Sequence, residues 1–269
     1  MILVLLLVFV VCLFFRFPIA FSLGLSCLIY FILEGTPLVV VPLKMYAGID
    51  VFVLLSIPGF IIAGNLMNQG GLTDKIIDFC NHLLGHIRGG LSYVNISASM
   101  LFAGISGTAI SDTASLGAVM IPAMKKEGYD SDFSCAITAA SSTVGPIIPP
   151  SLPMIIAATL SGLSVGKLFL AGALPGILLG IGLMGVAYVV AKKKNYPRHQ
   201  KSTPSQILKS FANTFWALLM TLIILFGIIG GVFTPTEASV VAVIYALFIG
   251  IFVYKKLNLK NISVVFWTL

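Results

Sequence analysis

Two glycine-, proline- and hydroxyl-rich segments interrupt a chain that consists mainly of long apolar runs. The first, residues 103–112, reads Ala-Gly-Ile-Ser-Gly-Thr-Ala-Ile-Ser-Asp, and the second, residues 141–150, reads Ser-Ser-Thr-Val-Gly-Pro-Ile-Ile-Pro-Pro. In lipid, irregular backbone is tolerated only where it is buried in protein or lines a water-filled cavity. Two such segments in one chain predict an ion and substrate site built from broken helices, which is typical of transporters.

The composition identifies the class of protein. A soluble domain has about 25% charged residues, whereas this chain has 9% charged and 58% hydrophobic residues. The apolar runs are too numerous for a signal peptide and lack the alternation of membrane strands, so we expect an all-α integral membrane protein. The basic residues lie in connecting segments, which indicates contact with anionic membrane lipid and no nucleic-acid site. The scattered cysteines and histidines predict no metal or disulfide framework, and we expect no cofactor.

The runs predict the organisation of the chain. Transmembrane elements are expected at about 1–15, 17–33, 51–69, 166–191, 213–232 and 236–254. Residues 89–124 are apolar but interrupted by Gly104, Gly107 and the polar cluster, so they predict a re-entrant hairpin, and 131–163 predict two half-helices joined by a break. The predicted parts are scaffold-type helices (1–72), an interfacial amphipathic helix (73–88), the transport-type hairpin and broken helix (89–163), a transmembrane helix (164–191), a cytoplasmic basic loop (192–210) and the start of a second inverted repeat (211–269).

The positions of the cations predict the orientation. With the amino terminus outside and both ends of the hairpin inside, only Lys44 and Lys167 of the 16 Lys and Arg residues lie outside. Threading 89–124 as one ordinary span would place the basic run 192–201 outside, against the positive-inside rule. In the favoured topology the pair of helices in 213–254 is the pair in 1–33 turned upside down, as an inverted repeat requires. A second hairpin and a second broken helix would then follow Leu269, so we expect the chain to be the first part of a longer subunit.

The first interruption offers side chains for binding. Asp112 is the acid in the hydrophobic part of the hairpin, where an ionised carboxylate needs a cation, hydration or a hydrogen-bond partner. It either assists a coupling cation or serves as amino-terminal cap of a helix over about 113–125, and the two roles are compatible. Ser106, Gly107, Thr108 and Ser111 surround the expected tip with hydroxyls and freed carbonyls. These are hard oxygen donors that suit sodium, although small residues also serve helix packing in membranes.

The second interruption offers backbone carbonyl groups for binding. Three prolines within five residues, Pro146, Pro149 and Pro150, cannot continue a helix, so carbonyls near Thr143 and Gly145 are left to find other partners. A cation is one such partner, and a structural kink is the alternative. Glu237, by contrast, stands in Thr-Pro-Thr-Glu, the pattern of a capping box, which favours a structural role.

These segments resemble a known family, the DctM-like large membrane subunit of tripartite ATP-independent periplasmic (TRAP) transporters. The resemblance spans essentially the whole chain, and the Gly-Gly-Val-Phe-Thr-Pro-Thr-Glu-Ala segment is its most specific motif. The motifs that carry it are residues 17–24, 58–64, 104–112, 145–150 and 230–238.

The resemblance implies a sodium-coupled elevator-type symporter of the bacterial inner membrane with several spans, for which the cation distribution predicts a periplasmic amino terminus. It implies uptake of organic acids such as C4-dicarboxylates or sialic acid. The implied partners are a small four-helix (DctQ-like) membrane subunit and a periplasmic (DctP-like) binding protein. The ion-binding residues implied are Ser106, Gly107, Thr108, Asp112, Thr143, Gly145 and Pro149; those facing the substrate are Ser106, Thr108, Ser111 and Pro150. We expect sodium to be the metal that binds, and we expect no catalytic residues.

Two other functions fit parts of the pattern. A divalent-anion or arsenite carrier of the same fold would work without a binding protein. An intramembrane hydrolase could use Ser106 as nucleophile, but the segment lacks the second glycine of a Gly-x-Ser-x-Gly elbow, and no histidine lies in an apolar span to act as base. We therefore favour a transporter over an enzyme.

Overall fold

The computed structural model describes residues 2–257, and all the regular structure in that range is helical. The chain forms two compact units, residues 1–51 and 52–269. The helices of the first unit are α1 (Ile2–Phe14), α2 (Ile19–Glu34) and α3 (Val40–Ile49). Those of the second are α4 (Ser56–Gln69), α5 (Leu72–Leu84), α6 (Gly90–Ser106), α7 (Ala109–Lys126), α8 (Ser131–Ser142), α9 (Leu152–Ser161), α10 (Val165–Lys194), α11 (Pro204–Ile229) and α12 (Pro235–Phe248).

The first unit contains the two apolar helices that were predicted and one that was not. α1 and α2 pack against each other, and the chain reverses between them through Arg16 at φ 61° and Pro18. α3 was missed because Pro42, Lys44 and Gly48 interrupt its apolar pattern. Side chains such as Leu3 and Phe14 are 77% and 85% exposed, as expected of apolar helices that face lipid.

Four helical segments in the described part of the chain are long and apolar enough to cross a membrane, and all belong to the second unit. They are Phe52–Gln69, Val165–Lys194, Pro204–Ile229 and Pro235–Val253. The first comprises a 3-10 turn, Phe52–Leu55, followed by α4; the last comprises α12 and a π-helical turn, Ile249–Val253.

The predicted basic loop 192–210 was too long. α10 continues through three lysines to Lys194, where Asn195 ends it in the left-handed conformation. α11 begins at Pro204 because Thr203 and Gln206 form a capping box in front of it. Basic side chains at the carboxyl end of a helix interact favourably with its dipole, which is why the lysine run extends α10. The non-helical segment is therefore 195–203, called the α10–α11 loop below.

The central helix of the second unit is α6, which contacts α4, α5, α7, α8, α10 and α11. Val94, Ile96, Ala98 and Phe102 on it are fully buried, although the helix also carries polar residues. α5 is amphipathic, as predicted: it buries Leu72, Ile76 and Cys80 and packs on α6 and α11. The core of the unit is thus built around the first arm of the predicted hairpin.

The predicted hairpin is present as two contacting helices, α6 and α7, whose outer ends meet the same loop. At the start of α6, the amide of Gly89 donates to the carbonyl of Pro197 over 2.9 Å. Just beyond α7, Oε1 of Glu127 lies 2.8 Å from Nε2 of His199. Both ends of the hairpin therefore lie beside the α10–α11 loop, at one end of the unit.

Glu237 has the structural role that was favoured for it. Thr234 accepts from the amide of Glu237, and Oε2 of Glu237 accepts from the amide of Thr234 over 2.8 Å. This reciprocal pair is a capping box at the start of α12. The predicted second inverted repeat, 211–269, runs into residues 258–269, which lie outside the described residues.

Candidate functional site

The hairpin tip, residues 106–112, turns over only two residues. Gly107 ends α6 in the left-handed conformation, φ 63°, which glycine adopts without strain. Thr108 then caps α7, and its side chain accepts from the amide of Ser111 over 3.3 Å. Two expectations were wrong here. Asp112 is not the cap, because α7 begins at Ala109, and Gly104 does not break the hairpin, because it lies inside α6.

Asp112 has one satisfied and one unsatisfied carboxylate oxygen. Its side chain is fully buried, and Oδ1 accepts a short hydrogen bond from the hydroxyl of Ser106. Oδ2 has no hydrogen-bond partner among the described residues. A buried carboxylate oxygen without a donor is expensive, so this atom requires a cation or a proton.

Oδ2 of Asp112 faces the break between α8 and α9, residues 143–151. A Cβ atom placed on Gly145 would lie 2.7 Å from Oδ2 of Asp112 and 3.1 Å from the carbonyl oxygen of Ser142. Only glycine leaves this space free. The orphaned carboxylate oxygen and the backbone of the break therefore approach each other directly.

The break also contacts the turn of the hairpin. The amide of Leu152 donates to the carbonyl of Gly107 over 3.4 Å, and a Cβ on Gly107 would lie 2.8 Å from the carbonyl oxygen of Pro150. Ser151 caps α9: it accepts from the amide of Met154 and donates to the carbonyl of Pro146 over 2.6 Å. These contacts hold the two interruptions together as one buried site.

Four helix ends meet at this site, and their dipoles differ in sign. α6 and α8 end here, which supplies carbonyl oxygens and partial negative charge. α7 and α9 begin here, which supplies amides and partial positive charge. Together with Asp112, this arrangement offers oxygen ligands to a small cation beside amide groups for an anion. Hard cations such as sodium favour such oxygen ligands.

The structure brings together most, but not all, of the predicted site residues. Ser106, Gly107, Asp112, Gly145 and Pro150 meet at the contact between tip and break, with Thr108 and Ser111 at the cap of α7. Two others point elsewhere. Thr143 is exposed, and its hydroxyl donates to the carbonyl of Ala140 over 2.7 Å. Pro149 lines an apolar cavity of about 420 Å³ beside α10 and α11.

Sequence reasoning missed a buried polar seam between α6 and α8. Nδ2 of Asn95 donates to the hydroxyl of Thr138 over 2.7 Å, and the hydroxyls of Ser99 and Ser141 lie 2.9 Å apart. All four side chains are fully buried. The signal was available, since Asn95, Ser99 and Ser106 share one helical face inside an apolar run. The seam links α6 to α8 as both approach the site.

Two neighbouring helices hold the hairpin close to the site. The hydroxyl of Thr221 on α11 donates to the carbonyl of Gly104 over 3.1 Å. On α4, Nδ2 of Asn68 donates to the hydroxyl of Ser115 over 2.8 Å. Gly64, one turn earlier on α4, lets that helix approach the backbone of Ile105 and Ser106. Residues 2–257 contain no group of three or more His, Cys, Asp or Glu side chains that could hold a metal ion.

Residues 6–268 match the family model described as tripartite ATP-independent periplasmic transporter, DctM component. The chain belongs to this family. Its family and its apolar helices together indicate a membrane protein.

Several named relatives are similar over most of this chain. The sialic acid TRAP transporter permease protein SiaT of Haemophilus influenzae (strain 86-028NP) is 45% identical over 96% of this chain and 42% of the relative. The sialic acid TRAP transporter large permease protein SiaM of Vibrio cholerae is 44% identical over 93% of this chain and 58% of the relative. The C4-dicarboxylate TRAP transporter large permease protein DctM of Pseudomonas aeruginosa is 41% identical over 81% of this chain and 51% of the relative. The chain thus spans about half the length of these relatives.

Proposed function

We propose that this chain supplies the hairpin and broken-helix half of a TRAP large permease that takes up an organic acid with sodium. The observation that carries the proposal is the buried Oδ2 of Asp112, which has no hydrogen-bond partner within residues 2–257 and faces Gly145 in a chain of the DctM family. Relatives named for sialic acid and C4-dicarboxylate transport support an organic acid as substrate.

In the proposed mechanism, sodium binds between the tip and the break. Oδ2 of Asp112 supplies the charge, carbonyl oxygens at the ends of α6 and α8 supply further ligands, and Ser106 holds the carboxylate in place through Oδ1. Sodium relieves the cost of the buried charge and joins the hairpin to the break. An acid substrate binds beside it, where Thr108, Ser111 and the first amides of α7 and α9 meet its carboxylate.

The proposed assembly is that of the family. A periplasmic binding protein delivers the acid, a small four-helix membrane subunit accompanies this chain, and the site moves across the inner membrane by an elevator motion. The amino terminus is periplasmic, and the hairpin enters and leaves from the cytoplasm. The position of both hairpin ends beside the α10–α11 loop supports this orientation, because that loop carries Arg198 and Lys201 and follows the lysines that end α10.

Uptake into proteoliposomes tests the function. The complete permease, reconstituted with its small subunit and binding protein, is supplied with radiolabelled sialic acid or a C4-dicarboxylate under a sodium gradient. We expect accumulation that stops when choline replaces sodium outside. Accumulation without sodium contradicts the coupling. Uptake that is independent of the binding protein instead supports a carrier of the divalent-anion or arsenite type.

Labelling of single thiols tests the orientation. Cys12, Cys27, Cys80 and Cys135 are first replaced, and one cysteine is then introduced at Arg88 or at Lys126, beside the two ends of the hairpin. We expect an impermeant maleimide to label both positions from the cytoplasmic face only. Labelling of the two positions from opposite faces would show that residues 89–124 cross the membrane once.

A further inference from the structure

A basic cavity lies beside the α10–α11 loop and shares no lining residue with the proposed transport site. It has a volume of about 440 Å³ and is lined by His86, Arg198, His199, Gln200 and Lys201. Arg198 and Lys201 are exposed, and the salt bridges found within residues 2–257 do not include them. Nδ1 of His86 is buried without a hydrogen-bond partner in the described part of the chain. The cavity therefore collects cationic and donor groups.

His199 fixes the wall of this cavity. Its Nε2 atom lies 2.8 Å from Oε1 of Glu127, its Nδ1 atom lies 3.2 Å from Oδ1 of Asn81, and its amide donates to the carbonyl of Gly85. The carboxylate of Glu127 is thereby engaged by the imidazole. Arg198 and Lys201, on either side of His199, are left to face an anion from outside the chain.

An apolar groove adjoins the basic cavity, and Lys201 lines both. The groove has a volume of about 700 Å³ and runs between α5 and the start of α11. Its apolar walls are Phe79, Leu83, Pro204, Ile207, Leu208 and Phe211. Leu208 is 69% exposed, so the groove is open to its surroundings. One continuous surface thus offers cations at one end and hydrocarbon at the other.

The surface lies where a membrane boundary is expected. α10 is a candidate span that ends at Lys194, and α11 is a candidate span that begins at Pro204, so the loop between them lies at a membrane–water interface. The amphipathic helix α5 forms the other wall. A ligand here would have its charge at headgroup depth and its apolar part toward the acyl chains.

We propose that this surface binds an anionic glycerophospholipid. Its phosphate lies between Arg198 and Lys201 and accepts from His86 or Gln200, and one acyl chain lies along the groove of Phe79, Leu83, Leu208 and Phe211. Arginine and lysine provide the charge-assisted hydrogen bonds that phosphate oxygens accept. A free phosphate ion would fill the cavity alone, whereas the adjoining groove explains why the ligand carries an acyl chain.

Native mass spectrometry of the purified, complete permease tests the proposal. Phosphatidylglycerol and phosphatidylcholine with identical acyl chains are titrated onto it in detergent, with and without inorganic phosphate as competitor. The headgroup variant is Arg198→Gln with Lys201→Gln, and its control, Lys192→Gln with Lys193→Gln, removes the same charge from neighbouring exposed positions. The groove variant is Leu208→Asn, and its control is Val189→Asn on the exposed surface of α10. Elution profile and melting temperature confirm that each variant is folded.

We expect phosphatidylglycerol to bind about thirtyfold more tightly than phosphatidylcholine, since Arg198 and Lys201, which line the cavity, each contribute about 1 kcal/mol toward a lipid with a net negative charge. The headgroup variant removes that preference and the groove variant weakens binding of both lipids, while both controls stay within twofold of the unmodified protein. Equal binding of the two lipids, or an equal loss in the lysine control, overturns the proposal. Full displacement by inorganic phosphate with no effect of Leu208→Asn identifies free phosphate as the ligand and also overturns it. Capture of a polypeptide by a photocrosslinker at position 208 would likewise overturn the proposal of a lipid.

Discussion

The hairpin tip and the α8–α9 break bring the chain to the same site by different means. The tip reverses direction through Gly107 and Thr108 alone, while the break spans residues 143–151 and contains three prolines. Both start a new helix with a hydroxyl cap, Thr108 in one and Ser151 in the other. The tip adds ionisable chemistry through Asp112, whereas the break adds backbone oxygens and empty space. In the proposed site, one segment thus supplies the charge and the other supplies the shape.

This division predicts the largest effect at Asp112. We expect Asp112→Asn in the complete permease to abolish sodium-dependent uptake while the protein still inserts in the membrane. Loss of one partner of a buried charge pair costs about 3–5 kcal/mol, which corresponds to a loss of at least about a hundredfold in sodium affinity. Sodium-dependent uptake of labelled substrate measures it. The matched control is Asp132→Asn, an exposed acid in the first turn of α8. Normal uptake by Asp112→Asn would refute the ion site.

The break should respond to shape and not to charge. Gly145→Ala places a methyl group 2.7 Å from Oδ2 of Asp112, so the carboxylate or the backbone has to move. Overpacking of this kind costs about 1–3 kcal/mol, and we expect the half-saturating sodium concentration to rise on the order of tenfold. Gly182→Ala is the control, because a Cβ there meets no atom within 4 Å. If the two alanine variants behave alike, Gly145 is not part of the site.

The two caps offer a smaller, direct comparison. Thr108→Ala removes a cap worth about 1 kcal/mol. Ser151→Ala removes a cap and also the hydrogen bond to the carbonyl of Pro146, so its expected cost is about 2 kcal/mol. The melting temperature of the purified permease should therefore fall about twice as far for Ser151→Ala. Ser161→Ala, near the end of α9, should change it little. Equal shifts in melting temperature for the two cap variants would mean that the hydrogen bond from Ser151 to the carbonyl of Pro146 does not stabilise the break.

The smallest expected effect is at Thr221, whose hydroxyl bonds to the first arm of the hairpin. Thr221→Val keeps the volume of the side chain but removes the hydrogen bond to the carbonyl of Gly104. Hydrogen bonds between membrane helices contribute about 0.6 kcal/mol on average, so the melting temperature should fall only slightly. Thr113→Val, on the exposed face of α7, is the control. A loss as large as that of Ser151→Ala would show that α11 supports the hairpin more strongly than one hydrogen bond explains.

Much of the fold could be predicted from the sequence, because apolar periodicity and helix-breaking residues are local signals. The structure has two helices joined by a tight turn over 90–126, two helices separated by a break over 131–161, and the capping box at Glu237. That the hairpin is re-entrant in the membrane stays a prediction. α3 was missed because its apolar pattern is short and interrupted. The start of α11 was placed too late because Thr203 and Gln206 were not recognised as a capping box.

The site was less predictable, because tertiary contacts decide which polar groups meet. The approach of Gly145 to Asp112, and the bond from Ser106 that engages Oδ1 and leaves Oδ2 open, depend on how the hairpin packs on the break. Proximity in sequence also does not reveal that the hydroxyl of Thr143 bonds to the carbonyl of Ala140 in its own helix; a role of Thr143 in ion binding stays a prediction. The seam around Asn95 has a periodic signal, but only packing shows that it faces α8.

His199 joins three parts of the chain, the end of α5, the residue after α7 and the loop that leads into α11. Five residues, 199–203, lead from His199 to the start of α11, and a fully extended segment of that length reaches roughly 17 Å. If the hairpin moves through the membrane as proposed, this short segment limits its displacement relative to α11 for as long as His199 stays bonded to Glu127. A larger displacement requires the contact between His199 and Glu127 to break.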